Sequence, residues 1–492
     1  MSKVIVIGAG IGGLAAGCYA RFNGFQTTVL ESGERAGGLC TSWNRDGFTF
    51  DGCIRHLAGL KPETALYKMW SDLGAAPAEA FFPEELVKVI DESGREFTVY
   101  YDTNRLEEEM KRLAPEDSDT IEQYIKGIKL LSRIELMEVG FWKFRDWLKN
   151  IPTLMKSGKY SRESMNKFAE RFSSPILKKF FPVIQYGWKN IPLTLHLAVM
   201  AGSSRKMYGR YAGGSYEFSR AVEKRFLSLG GELRYGTRVE KVLTDNGVTT
   251  GVQLESGEKI TADYVISDIY GYDTFMKLLD DRYLTDRFRS MYSRPIDRMM
   301  MAIHVSLGVG MDLSQVPNSI AFFPDRPPEI AGEKHEMLSI LNYGYDPSMA
   351  PKGKTALKVM YDTSYSYWEK LYKDRQAYED EKRKISGNTI QILDRVFPGL
   401  SDAVEVIDVA TPMTTKRYTA NGQGFGRKED FRLKDTLRGF LNRPLTLESL
   451  KNFFVIGHSV GGTNLYGCAA MGMNTVKLLC KREKRRFLAS VK

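Results

Sequence analysis

The period of the apolar positions changes several times along the chain, and each change marks an element. Val4-Ile5-Val6-Ile7 is a continuous apolar run, the pattern of a short strand buried on both faces. Gly8-x-Gly10-x-x-Gly13 follows at once and turns the chain into a helix, and a second strand, Gln26-Thr27-Thr28-Val29-Leu30, ends at Glu31. From about residue 60 to 205 the pattern is mostly helical, interrupted by a strand pair near Leu86–Ile90 and Glu96–Tyr100 joined across Glu92-Ser93-Gly94. Between Phe141 and Met155, apolar residues fall at 141, 144, 148, 151 and 155, the alternating steps of three and four that mark one helical face. Further on come a helix to Leu229, a strand over Glu232–Val242, a hairpin around Ser256-Gly257 and a core strand in Asp263–Asp268. Strands near Met299–Leu307 and Thr355–Tyr361 and a charged helix at Tyr367–Phe397 follow, and Phe453-Phe454-Val455-Ile456 closes the series.

The first forty residues carry the clearest chemistry. In Gly8-x-Gly10-x-x-Gly13, the first glycine permits the tight turn, the second lets a pyrophosphate approach the backbone, and the third lets helix and strand pack closely. The phosphate then faces the unpaired N–H groups and positive end of the helix. Glu31 stands close to the spacing of about 20 residues expected of this fingerprint, where its carboxylate accepts hydrogen bonds from both hydroxyls of an adenosine ribose. An ordinary strand–helix turn would need only the glycines. Strand, helix and terminal acid together read as a dinucleotide site.

Composition sets outer limits. At 492 residues the chain is long for one core, so two domains are expected. Its 43% hydrophobic and 26% charged residues are those of a soluble globular protein. No stretch supplies the roughly 20 continuous apolar residues of a spanning helix. Entry into the first strand almost at the N-terminus predicts no signal peptide. Cys18, Cys40, Cys53, Cys468 and Cys480 show no C-x-x-C pair and no zinc spacing, so they read as reduced thiols of a cytoplasmic protein, with no metal site. The formal charge of +10 suits nucleic acid or an anionic membrane face. No nucleic-acid motif accompanies it, which leaves the membrane.

The run Glu31-Ser32-Gly33-Glu34-Arg35-Ala36-Gly37-Gly38-Leu39-Cys40-Thr41-Ser42 resembles the acid–arginine–Gly-Gly continuation of flavoproteins of the amine-oxidase and phytoene-desaturase type. The resemblance implies FAD. The paired Gly37-Gly38 would pass close to its diphosphate and Arg35 would lie beside it, with Gly8, Gly10, Ile11, Gly12, Gly13, Glu31 and Ser32 around the adenosine half. Many relatives carry Arg where this chain has Leu39. Thr411–Gly422 resembles a segment of carotenoid isomerases, retinol saturases and related desaturases. Gly457-His458, then Gly461-Gly462, resembles the C-terminal loop that closes on the flavin, with His458 where an Asp often holds the ribityl chain. Val239 would meet the adenine through backbone atoms. Phe48–Asp51 corresponds to a segment beside the flavin ring, making Asp51, Arg55 and His56 the candidates nearest the reacting carbons; for His56, a hydrogen-bonded histidine at a domain seam is an equal reading.

The implied fold is α/β: a Rossmann-type FAD-binding domain from residues 1–95, 206–296 and 411–492, with a discontinuous mixed α+β substrate domain from 96–205 and 297–410. The implied activity is FAD-dependent oxidoreduction at carbon–carbon bonds of a long apolar isoprenoid, carotenoid-like or polyene lipid, as desaturation, saturation or isomerisation. Such a substrate calls for an apolar cavity between the domains. Gly422-x-Gly424-x-Gly426 lacks the preceding strand of a second nucleotide site, so electrons would pass directly to or from oxygen, a quinone or another carrier. An amine oxidase of the same fold and a non-catalytic flavin or lipid binder are the alternatives. A lipid-borne substrate implies a peripheral membrane protein. The Phe141–Met155 face, flanked by Trp142, Trp147, Lys143, Arg145, Lys149 and Lys156, fits either a helix on a membrane surface or a core-facing helix with a solvated basic side. A second aromatic–basic cluster covers 178–189, and the tail from Lys477 carries Lys481, Arg482, Lys484, Arg485, Arg486 and Lys492 against Glu483.

Overall fold

The computed structural model describes residues 1–77, 80–185, 187, 189–292, 301–421, 441–462 and 464–490. In chain order, β1 (Lys3–Ile7), α1 (Ile11–Phe22) and β2 (Gln26–Leu30) open the fold, followed by β3 (Glu85–Asp91) and β4 (Glu96–Tyr100). The helical stretch includes α2 (Ser118–Leu131), α3 (Phe144–Ser157) and α4 (Leu193–Ser204). Then come α5 (Gly214–Ser228), β5 (Glu232–Arg234), β6 (Tyr264–Ser267), β7 (Met301–Val309), β8 (Ser319–Phe323), β9 (Leu338–Asn342) and β10 (Thr355–Thr363). The chain closes with α6 (Arg375–Val396), β11 (Val404–Ala410), α7 (Pro412–Thr419), β12 (Leu445–Thr446), β13 (Phe453–Val455) and α8 (Leu465–Arg482).

Two sheets carry the α/β architecture. The six-stranded sheet has the order β5-β2-β1-β6-β13-β12, parallel throughout except for the β12–β13 edge pair. Val4 pairs with Thr27 on one side and Tyr264 on the other, so β1 is central, and its residues Val4–Ile7 are all buried. Apolar runs without alternation are what a parallel strand covered on both faces requires. Small residues let the covering helices come close: a Cβ on Gly472 of α8 would stand 2.5 Å from the Gly12 carbonyl oxygen. The seven-stranded sheet has the order β11-β7-β10-β9-β8-β3-β4 and is antiparallel except where β3 meets β8.

Several expectations shift in detail. The boundary drawn at residue 95 falls in the turn of the β3–β4 hairpin, and both strands belong to the seven-stranded sheet, Val89 pairing with Ala321 and with Phe97. The charged helix expected over Tyr367–Phe397 is two helices, Tyr365–Leu371 and α6, because Asp374 caps a new start by accepting from the Ala377 N–H at 3.1 Å. The strand over Glu232–Val242 breaks at Gly236, whose φ is +59°, into β5 and Val239–Asp245. The helix of the Phe141–Met155 face begins at Phe144, after a 3-10 turn that ends on Phe141. Its apolar face does not enter the core: Phe144 and Met155 are each 77% exposed, Leu148 53%, Ile151 42% and Trp147 37%. Tyr186 and Trp188, the Gly422-x-Gly424-x-Gly426 run and Lys492 lie outside the described residues. Among the described residues no helix is long and apolar enough to cross a membrane.

Candidate functional site

The C-terminal ends of β1, β2, β6 and β13 open on one side of the six-stranded sheet, and a cavity of about 580 Å³ lies there, where open α/β sheets hold ligands. Gly8, with φ of +98°, turns β1 into the loop. Gly37 N–H donates to the Ala9 carbonyl at 2.8 Å and pairs as a bridge with Gly10, which lays the Gly37-Gly38 run along the first loop. Glu31 is fixed at the end of β2, its Oε2 accepting from Ala9 N–H at 2.9 Å and Oε1 from Gly33 N–H at 2.7 Å.

The cavity wall brings together Gly8, Gly10, Ile11, Gly12, Glu31, Ser32, Arg35, Gly37, Gly38, Leu39, Val239 and His458. Gly13, Gly457, Gly461 and Gly462 are not among the residues that line it. Gly13 admits no side chain, because a Cβ there would stand 2.1 Å from the Gly8 carbonyl oxygen. His458 lines the cavity with Nδ1 at 3.0 Å from the Gly462 carbonyl, so Nδ1 carries the proton toward that acceptor. Burial pushes its pKa down to about 4, and the ring is neutral.

Asp268, at the end of β6, is a residue the sequence reading passed over. Its Oδ2 accepts from the Gly13 N–H at 2.6 Å, and a Cβ on Gly10 or Gly12 would meet its carboxylate at 2.7 or 2.5 Å. The carboxylate therefore sits in the glycine cradle at the N-terminus of α1. Burial, then repulsion from Glu31, pushes its pKa up to about 7 against the opposing Gly13 hydrogen bond. A polar residue directly after the buried Val265-Ile266-Ser267 run was the available signal. Thr237, Tyr270, Lys277, Asn464 and Cys468 also line the cavity and were likewise passed over.

A second cavity of about 440 Å³ shares Arg35, Leu39, Thr41, Tyr418 and Thr419 with the first. It lies against β7, β11, α6 and α7. Met301, Ala302, Val409, Ala410 and Met413 give it an apolar side, but Arg45, Arg375, Glu379, Lys382, Asp408 and Arg417 also line it. Apolar and charged side chains thus share its wall. Arg35 reaches both cavities, with its guanidinium 5.2 Å from the centroid of the Tyr216 ring.

Asp51, Arg55 and His56 line neither of these cavities. Asp51 is buried and its carboxylate is engaged: Oδ2 accepts from Ser215 N–H at 2.5 Å, Oδ1 from Ser215 Oγ and Cys53 N–H, each at 2.8 Å. Ser215 lies in the first turn of α5, so Asp51 ties that helix to the segment after Phe50. Arg55 donates to Ser339 Oγ at 2.9 Å on β9, and its carbonyl accepts from buried Arg210. His56 Nε2 lies 2.8 Å from the Tyr101 hydroxyl. Burial, with Arg210 and Arg55 nearby, holds His56 well below its usual pKa. Behind Asp51, the buried Lys358 of β10 donates to the Asp51 carbonyl, and burial pushes its pKa down to about 8 while Asp51 opposes the shift.

The family profile described as flavin containing amine oxidoreductase matches residues 11–379. The chain belongs to that family. Its members' cofactor, FAD, fits what the cavity offers: a side-chain-free cradle of glycines at a helix N-terminus, a fixed acid at the end of β2 and a dinucleotide-sized space. This flavoenzyme is 25% identical to the chloroplastic prolycopene isomerase of Daucus carota over 476 residues, covering 92% of this chain and 76% of that protein. It is 24% identical to the neurosporene-forming phytoene desaturase of Rhodobacter capsulatus, covering 86% of this chain and 84% of that one. In fold it resembles an oxidoreductase from Methanosarcina mazei, with a TM-score of 0.61 at 17% identity, covering 96% of this chain and 100% of that one. The flavoenzyme is an FAD-dependent oxidoreductase.

Proposed function

We propose that this flavoenzyme acts on carbon–carbon bonds of a long apolar isoprenoid, carotenoid-like or polyene lipid, by desaturation or by the related saturation or isomerisation. The observation that carries this reading is near full-length similarity to a prolycopene isomerase and a phytoene desaturase. When bound, FAD supplies hydride acceptance or donation at its N5. The chain's part is binding, orientation and exclusion of water. Glu31 would hold the adenosine ribose, the Gly8–Gly13 loop and Gly37-Gly38 the diphosphate, Val239 the adenine edge, and neutral His458 the ribityl chain. The cofactor would rest on the six-stranded sheet and the substrate on the seven-stranded one, entering through the second cavity past Leu39, with its apolar side toward the polyene.

A reaction on such a lipid also implies peripheral docking on the cytoplasmic face of a membrane, and the exposed apolar face of α3 supports that reading. The test of the activity is anaerobic mixing of the FAD-loaded protein with phytoene and with a poly-cis carotene, followed by flavin absorbance and chromatography of the extracted polyene. A polyene product, with bleaching or turnover of the flavin, is expected. Inert polyenes together with turnover of simple amines and peroxide release would overturn this reading in favour of an amine oxidase.

A further inference from the structure

Beside α3 lies a groove of about 590 Å³ lined by Lys126 and Lys129 of α2, Arg133, Lys156 of α3 and Lys159, above Leu130 and Tyr160. Its lining includes five cations and no carboxylate, and all five cationic residues are exposed. Two are balanced from behind, Lys126 by Glu122 at 3.1 Å and Lys129 by Glu107 at 3.9 Å. Among the described residues, Arg133, Lys156 and Lys159 form no ion pair. Basic residues favour helix C-termini, and α2 and α3 both end near this groove. That preference explains single lysines. It does not explain why the helix they adjoin presents Phe144, Trp147, Leu148, Ile151 and Met155 to solvent.

Apolar side chains that reach outward beside a cluster of cations match the layering of an anionic bilayer surface, with hydrocarbon below and phosphate at the headgroup level. We propose that α3 and this groove form one docking site for an anionic membrane, α3 entering the interface and the groove holding a lipid headgroup phosphate. The site extends the peripheral-docking reading above and names the surface that carries it. Trp147, in edge contact with Trp142 at 5.1 Å, supplies an aromatic anchor of the kind enriched at membrane interfaces. The C-terminal basic tail is a poorer candidate in that three of its cations are engaged within the protein. Arg482 donates to Asn452 Oδ1 at 2.9 Å, Arg485 pairs with Glu483 at 2.6 Å, and Lys477 lies over the Phe487 ring.

The test is co-sedimentation of the full-length FAD-loaded protein with phosphatidylcholine vesicles and with phosphatidylcholine–phosphatidylglycerol vesicles at low and high salt. The wild type should prefer the anionic vesicles, and salt should weaken that preference. The triple variant Arg133→Glu, Lys156→Glu, Lys159→Glu changes only exposed side chains and should lose about a hundredfold in affinity for anionic vesicles. It should keep any weak binding to neutral ones. Leu148→Ser with Met155→Ser should weaken binding to both kinds. Wild type that ignores both vesicles at low salt would overturn docking altogether, leaving the redox reading untouched. Anionic binding that survives the triple variant but is lost on reversing Lys481, Arg482 and Lys484 would overturn the groove and place docking on the tail.

Discussion

Gly13 gives its backbone N–H to the carboxylate of Asp268 at 2.6 Å, although that N–H belongs to the helix end expected to face a cofactor phosphate. A diphosphate brought into this cradle meets a second anion already there. With its pKa already near 7, Asp268 responds most cheaply by taking up a proton.

The first prediction is that FAD binding is proton-linked. The groups facing Asp268 are Glu31, whose charge raises its pKa, the Gly13 N–H, which lowers it, and Cys468 on α8, whose thiol is itself held well above its usual range. A nearby phosphate raises the Asp268 pKa further, so binding absorbs a proton wherever the free protein has lost one. Affinity should be flat below pH 7 and fall by up to about tenfold per pH unit above it. Fluorescence titration of apoprotein with FAD across this range measures the slope. Asp268→Asn, neutral at every pH, should flatten it; an unchanged slope in that variant would remove Asp268 from the linkage.

The same shift has a consequence for the apoprotein alone. A carboxyl whose folded pKa lies above its unfolded value of about 3.9 binds more protons when folded. Stability is therefore lost as pH rises from about 4 to about 7, and the full penalty remains above 7. Asp268→Asn apoprotein should melt higher than wild-type apoprotein at pH 8, with the difference shrinking toward pH 4, as followed by thermal denaturation.

Glu31→Ala should cost FAD affinity in two ways. It removes the proposed ribose acceptor, and it releases the Ala9 and Gly33 N–H groups that the carboxylate now holds. Hydrogen bonds to a charged group contribute about 1.5–3 kcal/mol each, so a loss of at least about tenfold is expected in the same titration. Glu31→Gln should recover part of it. An affinity equal to wild type would take Glu31 out of the site.

How far the sequence was legible follows from how local each signal is. The β1–α1 turn at Gly8–Gly13, β2 ending before Glu31 and the strand before His458 were readable as local structure because each is a short pattern with its own mechanism. Asp268 was not, since its role arises only when β6 comes to lie beside β1, a pairing of residues more than 250 positions apart. The periodicity marks the helical face of α3 from Phe144 onward, but a helical period is the same whether the apolar face meets a core or solvent. The partners of Asp51 are out of reach of the sequence for a related reason. An acid beside a flavin-type motif reads as reactive chemistry, whereas Ser215, the partner that occupies it, lies 164 residues downstream.

Close helix packing yields a prediction about two glycines that look equivalent in sequence. A Cβ on Gly472 would press on backbone, 2.5 Å from the Gly12 oxygen and 2.7 Å from the Ala16 nitrogen. A Cβ on Gly12 would meet the Asp268 carboxylate, at 2.5 Å, and a side chain can turn away. Gly472→Ala should therefore lower stability by about 1–3 kcal/mol and loosen FAD by parting α8 from α1. Gly12→Ala should keep most of the melting temperature and lose mainly FAD affinity. Equal melting temperatures for the two variants would contradict this account.

Asp51 provides the last prediction, because two roles for it lead to opposite results. If it met the reacting carbons, Asp51→Ala would fold normally, bind FAD and lose turnover. Its hydrogen bonds support the other role. Removing the carboxylate leaves the Ser215 and Cys53 N–H groups and the Ser215 hydroxyl without their acceptor. It also leaves Lys358 without the nearby negative charge that now supports its protonated form. Unpaired buried donors cost about 1–3 kcal/mol each, so the expected loss is several kcal/mol and a marked fall in melting temperature, with FAD released as α5 detaches. Asp51→Asn keeps one acceptor oxygen, which in the Oδ1 position serves both the Ser215 hydroxyl and the Cys53 N–H, and should fall between wild type and Asp51→Ala. Circular dichroism melts of the three proteins, read beside their FAD content, decide the matter. An Asp51→Ala protein with unaltered melting and full FAD content would rule out the clasp and return Asp51 to the candidates for catalysis.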